Sequence, residues 1–550
     1  MKKSGISTVL ILVCTFIFGA FFEKMIEPII TSDSIKEAAN IMGLHFSEQE
    51  IDSLLPGVSE FHKGFSKNRE MDIDNGVSPA FVFDPRPSGF KAPTGTSGLT
   101  LSVVKPFKID REKLPWYSIS ELSYLIKSKQ ISSVELTQYF ISRIKKYNST
   151  LFCVITVTED LALRQAKKAD EEIAAGKYRG LLHGIPYGAK DLLATEGYIT
   201  TWGATPYKDQ LINENATVIQ KLNDAGAVLI AKTSMGALAW GDVWFGGTTK
   251  NPWDIESGSS GSSAGSASAV SAGLMPFAIG TETLGSIVSP STVCGTTGLR
   301  PTFGRVSRHG AMALSWTMDK IGPISRTAED CALVFSVIHG KDNKDVSVQE
   351  FPFNYNAALN VKSLKIGYLK SSFDRNYPFK QQDSLILALL RKEGINLIPV
   401  ELPELPYLSP ILSAESAAAF DELTRSNKDD LLERQIKNAW PNKFRESRFI
   451  PAVEYIQANR KRKILMEEMK EKVFSKIDLY LNPSWGGTSL TITNYTGHPC
   501  IVVPNGFING KPTSITITGN LYQESQVIAL AHFIQSRTEH HKQHPKPFHD

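Results

Sequence analysis

Cysteine is scarce in this chain, five among 550 residues, and no two cysteines stand in C-x-x-C spacing. This excludes a disulfide-stapled scaffold and a thiolate zinc site. Cys153, Cys294, Cys331 and Cys500 read as small buried hydrophobes, while Cys14 lies in an N-terminal apolar run. An excess of one charge is also lacking: 60 Lys and Arg stand against 56 Asp and Glu, a formal net charge of +4. No basic run is interleaved with aromatics, and Arg460-Lys461-Arg462-Lys463 fits a solvated helix face, so no nucleic-acid partner is expected. Internal repeats are absent, which counts against solenoids and propellers. The Walker pattern is absent as well. His540, His541 and His544 cluster in a polar, proline-containing tail without nearby acids, which fits a surface tail better than a metal site. No metal and no cofactor is therefore expected.

Long hydrophobic runs are lacking too, with one exception. Lys2 and Lys3 precede Ser4 to Phe22, which carries no charge and is rich in Ile, Leu, Val and Phe. Such a segment is a secretory signal or a single membrane anchor, the alternative being a buried N-terminal helix. Phe18-Gly19-Ala20 ends in a small residue but opens on a bulky one, which leaves cleavage open. With the lysines retained inside, the body of the chain is expected outside, exported or membrane-anchored.

Elsewhere the composition is globular, 42% hydrophobic and 21% charged. Three segments are expected: a leader or anchor over 1–22, a helical region and linker over 23–115, and a catalytic domain over 116–540. In the second, Ser47 with Glu50 forms a capping box, and proline and glycine crowd residues 74–115, including Asp84-Pro85-Arg86-Pro87. The third opens on two more capping boxes, Ser118 with Glu121 and Ser132 with Glu135. A helix follows through Ala162, Ala166, Ala169 and Ile173, stopping at Gly176. Ile185 to Ala189, Ala227 to Ala231 and Phe277 to Ile279 suit buried strands, with helical stretches such as Thr217 to Ala225 between them. The alternation predicts an α/β architecture with a sheet covered on both faces.

The sharpest local anomaly is Ser257 to Ser266, which is almost entirely glycine and serine. By composition it is a flexible linker. It feeds directly into a small-residue helix over Ala267 to Leu274 and a strand at Phe277, which a linker has no reason to do. A second turn, Gly280 to Ser286, ends on an exposed hydroxyl beside backbone amides able to form an oxyanion hole, although an ordinary turn serine has the same local sequence. Gly261-Ser262-Ser263-Ala264-Gly265 matches G-x-S-x-G, but Asn251 to Asp254 is not the strand that a nucleophile elbow requires. A serine nucleophile needs a base. His183 and His309 are the nearest histidines. Lys190, ending an apolar strand, is a better candidate because burial disfavours its charged form. Lys232 ends another strand and meets the same criterion.

Three motifs occur in order: His183-Gly184-Ile185-Pro186 with Lys190-Asp191, then Ser260 to Ser266, then Gly280 to Ile287. Gly298-Leu299-Arg300-Pro301-Thr302, Asp319 with Gly322-Pro323, and Thr496-Gly497-His498-Pro499 follow. From about residue 116 to 535 the chain resembles the amidase-signature hydrolases. That resemblance implies a large mixed central β-sheet covered by helices on both faces. It also implies Ser286 as nucleophile, Ser262 as a bridging serine on a cis peptide, and Lys190 as base. The backbone N–H groups of Thr283, Leu284, Gly285 and Ser286 would line the oxyanion hole. The chain departs from the family pattern at Ala264, at Leu284 in place of the first glycine before the nucleophile, at Glu282 in place of Asp, and at Val288 where many members carry Arg.

The function implied is hydrolysis of a small-molecule or peptide amide through a Ser286 acyl-enzyme. Two other readings stand beside it: the glutaminase subunit of a transfer-RNA amidotransferase, and a catalytically inactive extracellular binding module. Trp240, Trp244 and Trp316 are candidate pocket walls or plain core, and residues 340–480 match no pattern.

Overall fold

The structure, a computed structural model of the chain, describes residues 30–548. The apolar run Ser4 to Phe22 lies outside the described residues. Among those described, no helix is long and apolar enough to cross a membrane. The chain divides into two compact units, which meet between Asp74 and Asn75.

The first unit contains two helices, α1 (Ser32–Ile41) and α2 (Glu48–Asn68). Both start on capping boxes. Thr31 pairs with Ser34, and Ser47 pairs with Glu50 as the sequence predicts, so the first orphan amides of each helix find side-chain acceptors.

The second unit is organised around an eleven-stranded mixed sheet. Its strands in chain order are β1 (Val154–Val157), β2 (Pro186–Lys190), β3 (Val228–Thr233), β4 (Phe277–Glu282), β5 (Thr297–Arg300) and β6 (Lys320–Ser325). Then come β7 (Ile366–Leu369), β8 (Leu397–Val400), β9 (Leu479–Pro483), β10 (Cys500–Ile508) and β11 (Lys511–Gly519). The spatial order is β8-β7-β9-β11-β10-β5-β6-β4-β2-β3-β1. Strand β2 runs parallel to β3 and β4, whereas β4, β6, β5, β10, β11 and β9 alternate in direction. Every residue of β2, β3, β4 and β6 is buried. Successive strand residues point to opposite faces, so both faces of this part of the sheet are covered, and its strands read as continuous apolar runs.

Two sequence expectations are revised. Residues 74–115 are extended but are no free linker. Asn75 donates to the carbonyls of Ala313 and Ala419 and accepts the Ala313 amide at 2.7 Å, while Gly98–Thr100 pairs in parallel with Asn354–Asn356. The glycines and prolines there shape a strap along the second unit, because its backbone groups find partners. Ahead of the serine-rich loop, Asp254–Gly258 is a short strand, but it pairs only with Lys250–Asn251, in a ribbon separate from the large sheet.

Candidate active site

Lys190 and Glu282 end β2 and β4, two parallel neighbours, so both side chains reach the same carboxyl edge of the sheet. That edge is where open α/β sheets hold their ligands. The serine-rich loop lies between the two strands in sequence and passes into helix α3 (Ala264–Ser271), every residue of which is buried. Only small side chains fit a helix packed this closely on all sides, which explains a composition that resembles a linker. The peptide bond between Gly261 and Ser262 is cis. A Cβ on Gly261 would lie 1.8 Å from the Gly241 carbonyl, so a side chain is excluded there.

Lys190 has no exposed surface, and its amine contacts three hydroxyls: Ser262 Oγ at 2.8 Å, Thr281 Oγ1 at 2.9 Å and Ser263 Oγ at 3.2 Å. Burial pushes its ammonium down to about 7, against the opposing pull of Asp319 and Glu282. A neutral amine has two N–H donors and one lone pair, which matches three hydroxyl partners. Ser263 donates its own proton to the Thr281 carbonyl at 3.0 Å and accepts the Thr281 amide at 3.1 Å. It can therefore only accept from Lys190. Ser262 has no such commitment, so it is the hydroxyl able to hand Lys190 a proton. This disposes of Ser263 as an elbow nucleophile.

Ser286 follows β4 by one tight turn and is 7% exposed. Its carbonyl accepts the Ser263 amide at 3.1 Å, which lashes the two serine loops together. Among the described residues no hydrogen bond joins Ser286 Oγ to Ser262 Oγ. Among the same residues the amides of Leu284, Gly285 and Ser286 find no protein acceptor, the arrangement an oxyanion hole requires. Gly285 sits at φ +88°, a left-handed conformation that orients these amides and that a side chain disfavours.

The turn is held at both ends. Thr283 Oγ1 donates to Asp319 Oδ1 at 2.5 Å, and Asp319 Oδ2 accepts the amides of Leu314 and Ser315. Beyond the serine, helix α4 (Val288–Cys294) starts on Glu282, whose Oε2 accepts the amides of Ile287 and Val288 at 2.9 and 3.0 Å. Glu282 Oε1 accepts from Arg300 at 2.7 Å and Asn494 at 2.8 Å. Burial alone would raise the Glu282 carboxyl, but Arg300 and the Val288 amide outweigh it and hold it at about 2. Lys320 is buried beneath the turn and donates to the carbonyls of Thr283 and Met318; burial, then the nearby Arg300, keeps its ammonium well below the usual range.

The other candidates fall elsewhere. Lys232 is committed to Asp191 at 2.7 Å, with both side chains fully buried. His183 Nε2 lies 3.2 Å from Glu172, and His309 lies 3.7 Å from Glu214. His544 stacks on Trp116 at 3.9 Å, and among the described residues no group of three ligands could hold a metal. The four cysteines described are buried and free. Sequence reasoning passed over Thr281, Asp319 as anchor of Thr283, and the capping role of Glu282. Asp319 carried a signal in its motif position, whereas the reach of Asn494 carried none.

Fold and site together define a hydrolase of the serine–lysine type, and comparison with known proteins makes this specific. A family model described as Amidase matches residues 135–493. A glutamyl-tRNA(Gln) amidotransferase subunit of Coxiella burnetii is 34% identical over 479 residues, covering 78% of this chain and 99% of the relative. Among solved structures, the native peptide amidase of Stenotrophomonas maltophilia is 28% identical with a TM-score of 0.70, covering 77% of this chain and 98% of its own. A bacterial aryl acylamidase is 25% identical with a TM-score of 0.69, covering 78% and 98%. The chain belongs to the amidase, or amidase-signature, family.

Proposed function

We propose that this chain hydrolyses carboxamides through an acyl-enzyme on Ser286, with Ser262 and Lys190 as the proton relay. Neutral Lys190 takes the Ser262 proton, Ser262 takes that of Ser286, and Ser286 Oγ bonds to the substrate carbonyl carbon. The carbonyl oxygen gains negative charge within reach of the amides of Thr283, Leu284, Gly285 and Ser286. One such donor is worth about 2.7–4 kcal/mol of transition-state stabilisation. The relay then reverses. Lys190 returns the proton through Ser262 to the leaving nitrogen as the C–N bond breaks, which an amide requires because its anion leaves poorly. Water enters, and the same groups run attack and release again to free the acid. The Ser286-to-Ser262 hydrogen bond forms on substrate binding, as catalytic hydrogen bonds often tighten only in the complex.

The observation that carries this reading is the Lys190 amine, buried among three hydroxyls of which only Ser262 has a transferable proton. It is tested by ammonia release from a panel of primary amides and peptide amides. Turnover is expected in the native chain and a fall to background in Ser286→Ala. Equal turnover in that variant overturns the reading.

The amidotransferase relatives support a second reading, a glutaminase that works with partner subunits. Co-purification with such subunits, and glutamine hydrolysis only in their presence, would favour it. Against it stands the charge-free Ser4 to Phe22 run behind Lys2 and Lys3, which supports a catalytic domain exported or anchored outside a membrane. Fractionation of cells expressing the full chain decides between the two locations.

A further inference from the structure

The wall beside the Ser286 turn is hydrocarbon, and we propose that it selects neutral amides with an apolar acyl group. The inference rests on the acyl-enzyme reading above and concerns which substrates that site takes.

Leu284 is the anomaly. It stands inside the oxyanion turn, yet 38% of it is exposed, while its neighbours Thr283 and Ser286 are each 7% exposed. An apolar side chain displayed beside a nucleophile is a surface waiting for an apolar partner. The adjoining Gly285 is covered by Leu490, whose Cδ2 lies 3.3 Å from where a Cβ on Gly285 would sit. Leu490 belongs to the helix Ser489–Thr496 and packs onto a buried cluster of Val288, Cys500 and Val502. Val288 occupies the position at which many similar hydrolases carry arginine. No guanidinium is supplied there; the cluster beneath the turn is aliphatic and sulfur.

The charged groups attached to the turn are already committed. Glu282 is paired with Arg300, Asp319 accepts Thr283 and two amides, and Lys320 donates to carbonyls. None is spare to meet a substrate carboxylate or ammonium, and desolvating an unpaired charge against Leu284 is costly. Orientation follows from the chemistry. The leaving nitrogen must face Ser262, which protonates it, so the acyl substituent points away from the relay loop, toward Leu284 and Leu490. An unbranched acyl chain gains from that wall, and the zwitterionic end of glutamine does not.

The test is kcat/KM for straight-chain amides from acetamide to hexanamide, and for glutamine, in the native chain, Leu284→Gly and Leu490→Ala. A buried methylene is worth about 0.8 kcal/mol, or about fourfold per added carbon. The native series is expected to climb at about that rate, with glutamine below hexanamide. Each variant is expected to cut the hexanamide-to-acetamide ratio at least about tenfold, since the reach of the wall is shortened by several carbons. A flat or falling native series, glutamine preferred over hexanamide, or an unchanged ratio in both variants overturns the proposal. If any of these occurs with turnover that still depends on Ser286, the acyl-enzyme reading survives and only the wall assignment fails. No turnover and no covalent labelling of Ser286 would remove both.

Discussion

Lys190 must be buried and must still accept a proton, and burial is what makes the two compatible. Excluding water lowers its ammonium to about 7 from an ordinary lysine value of 10.5. Only the neutral form can take the Ser262 proton. Activity should therefore be low below pH 7, rise with unit slope through about 7, and level off above. The pH profile of kcat/KM measures this, and Lys190→Met should remove the limb and lower kcat by about 10²–10⁴-fold. Glu282 presents the opposite case, a carboxyl depressed from 4.5 to about 2. Its stabilising contribution is complete above pH 4.5 and is lost as pH falls toward 2. Glu282→Gln leaves Arg300 buried without a counter-charge and should cost about 3–5 kcal/mol, read from urea midpoints near neutral pH. Glu282→Asp, the residue of the family pattern, should cost less because the charge remains.

Two short elements fix the geometry, and they differ in how legible they were. The relay loop and helix α3 looked like a linker because glycine, serine and alanine dominate both situations. In the fold those residues are small because Gly261 faces the Gly241 carbonyl and the helix is buried on every side. Gly261→Ala would place a Cβ 1.8 Å from that carbonyl, which forces the backbone carrying Ser262 to move. Amide turnover is expected to fall by at least about 100-fold, the scale of a 1 Å misplacement, while far-ultraviolet circular dichroism stays native-like. Unchanged turnover would show that the loop need not be held this tightly. The strands of the sheet were legible, since Ile185 to Ala189, Ala227 to Ala231 and Phe277 to Ile279 each lie on or beside a strand found there. Their order was not legible from patterning, because pairing β10 and β11 between β5 and β9 depends on contacts hundreds of residues apart.

At the scale of the molecule, the ordered motifs led to the right family and to the α/β sheet with both faces covered. Residues 74–115 were less legible. Proline and glycine mark irregular backbone equally well in a tether and in a strap, and only the bonds of Asn75 and the pairing of Gly98–Thr100 distinguish the two. Because these tie the strap to the second unit, a chain reduced to residues 75–550 should unfold in one cooperative thermal transition and keep its amide turnover. One reduced to 116–550 should melt at a lower temperature. Calorimetry of both forms checks this. The central claim, attack by Ser286 through Ser262 and Lys190, is tested most directly by a fluorophosphonate probe followed by mass mapping of the adduct. The account predicts a single adduct on Ser286, absent in Ser286→Ala and formed more slowly in Ser262→Ala and Lys190→Met. Labelling that persists in Ser286→Ala, or that maps to Ser262 or Ser263 in the native chain, would contradict it.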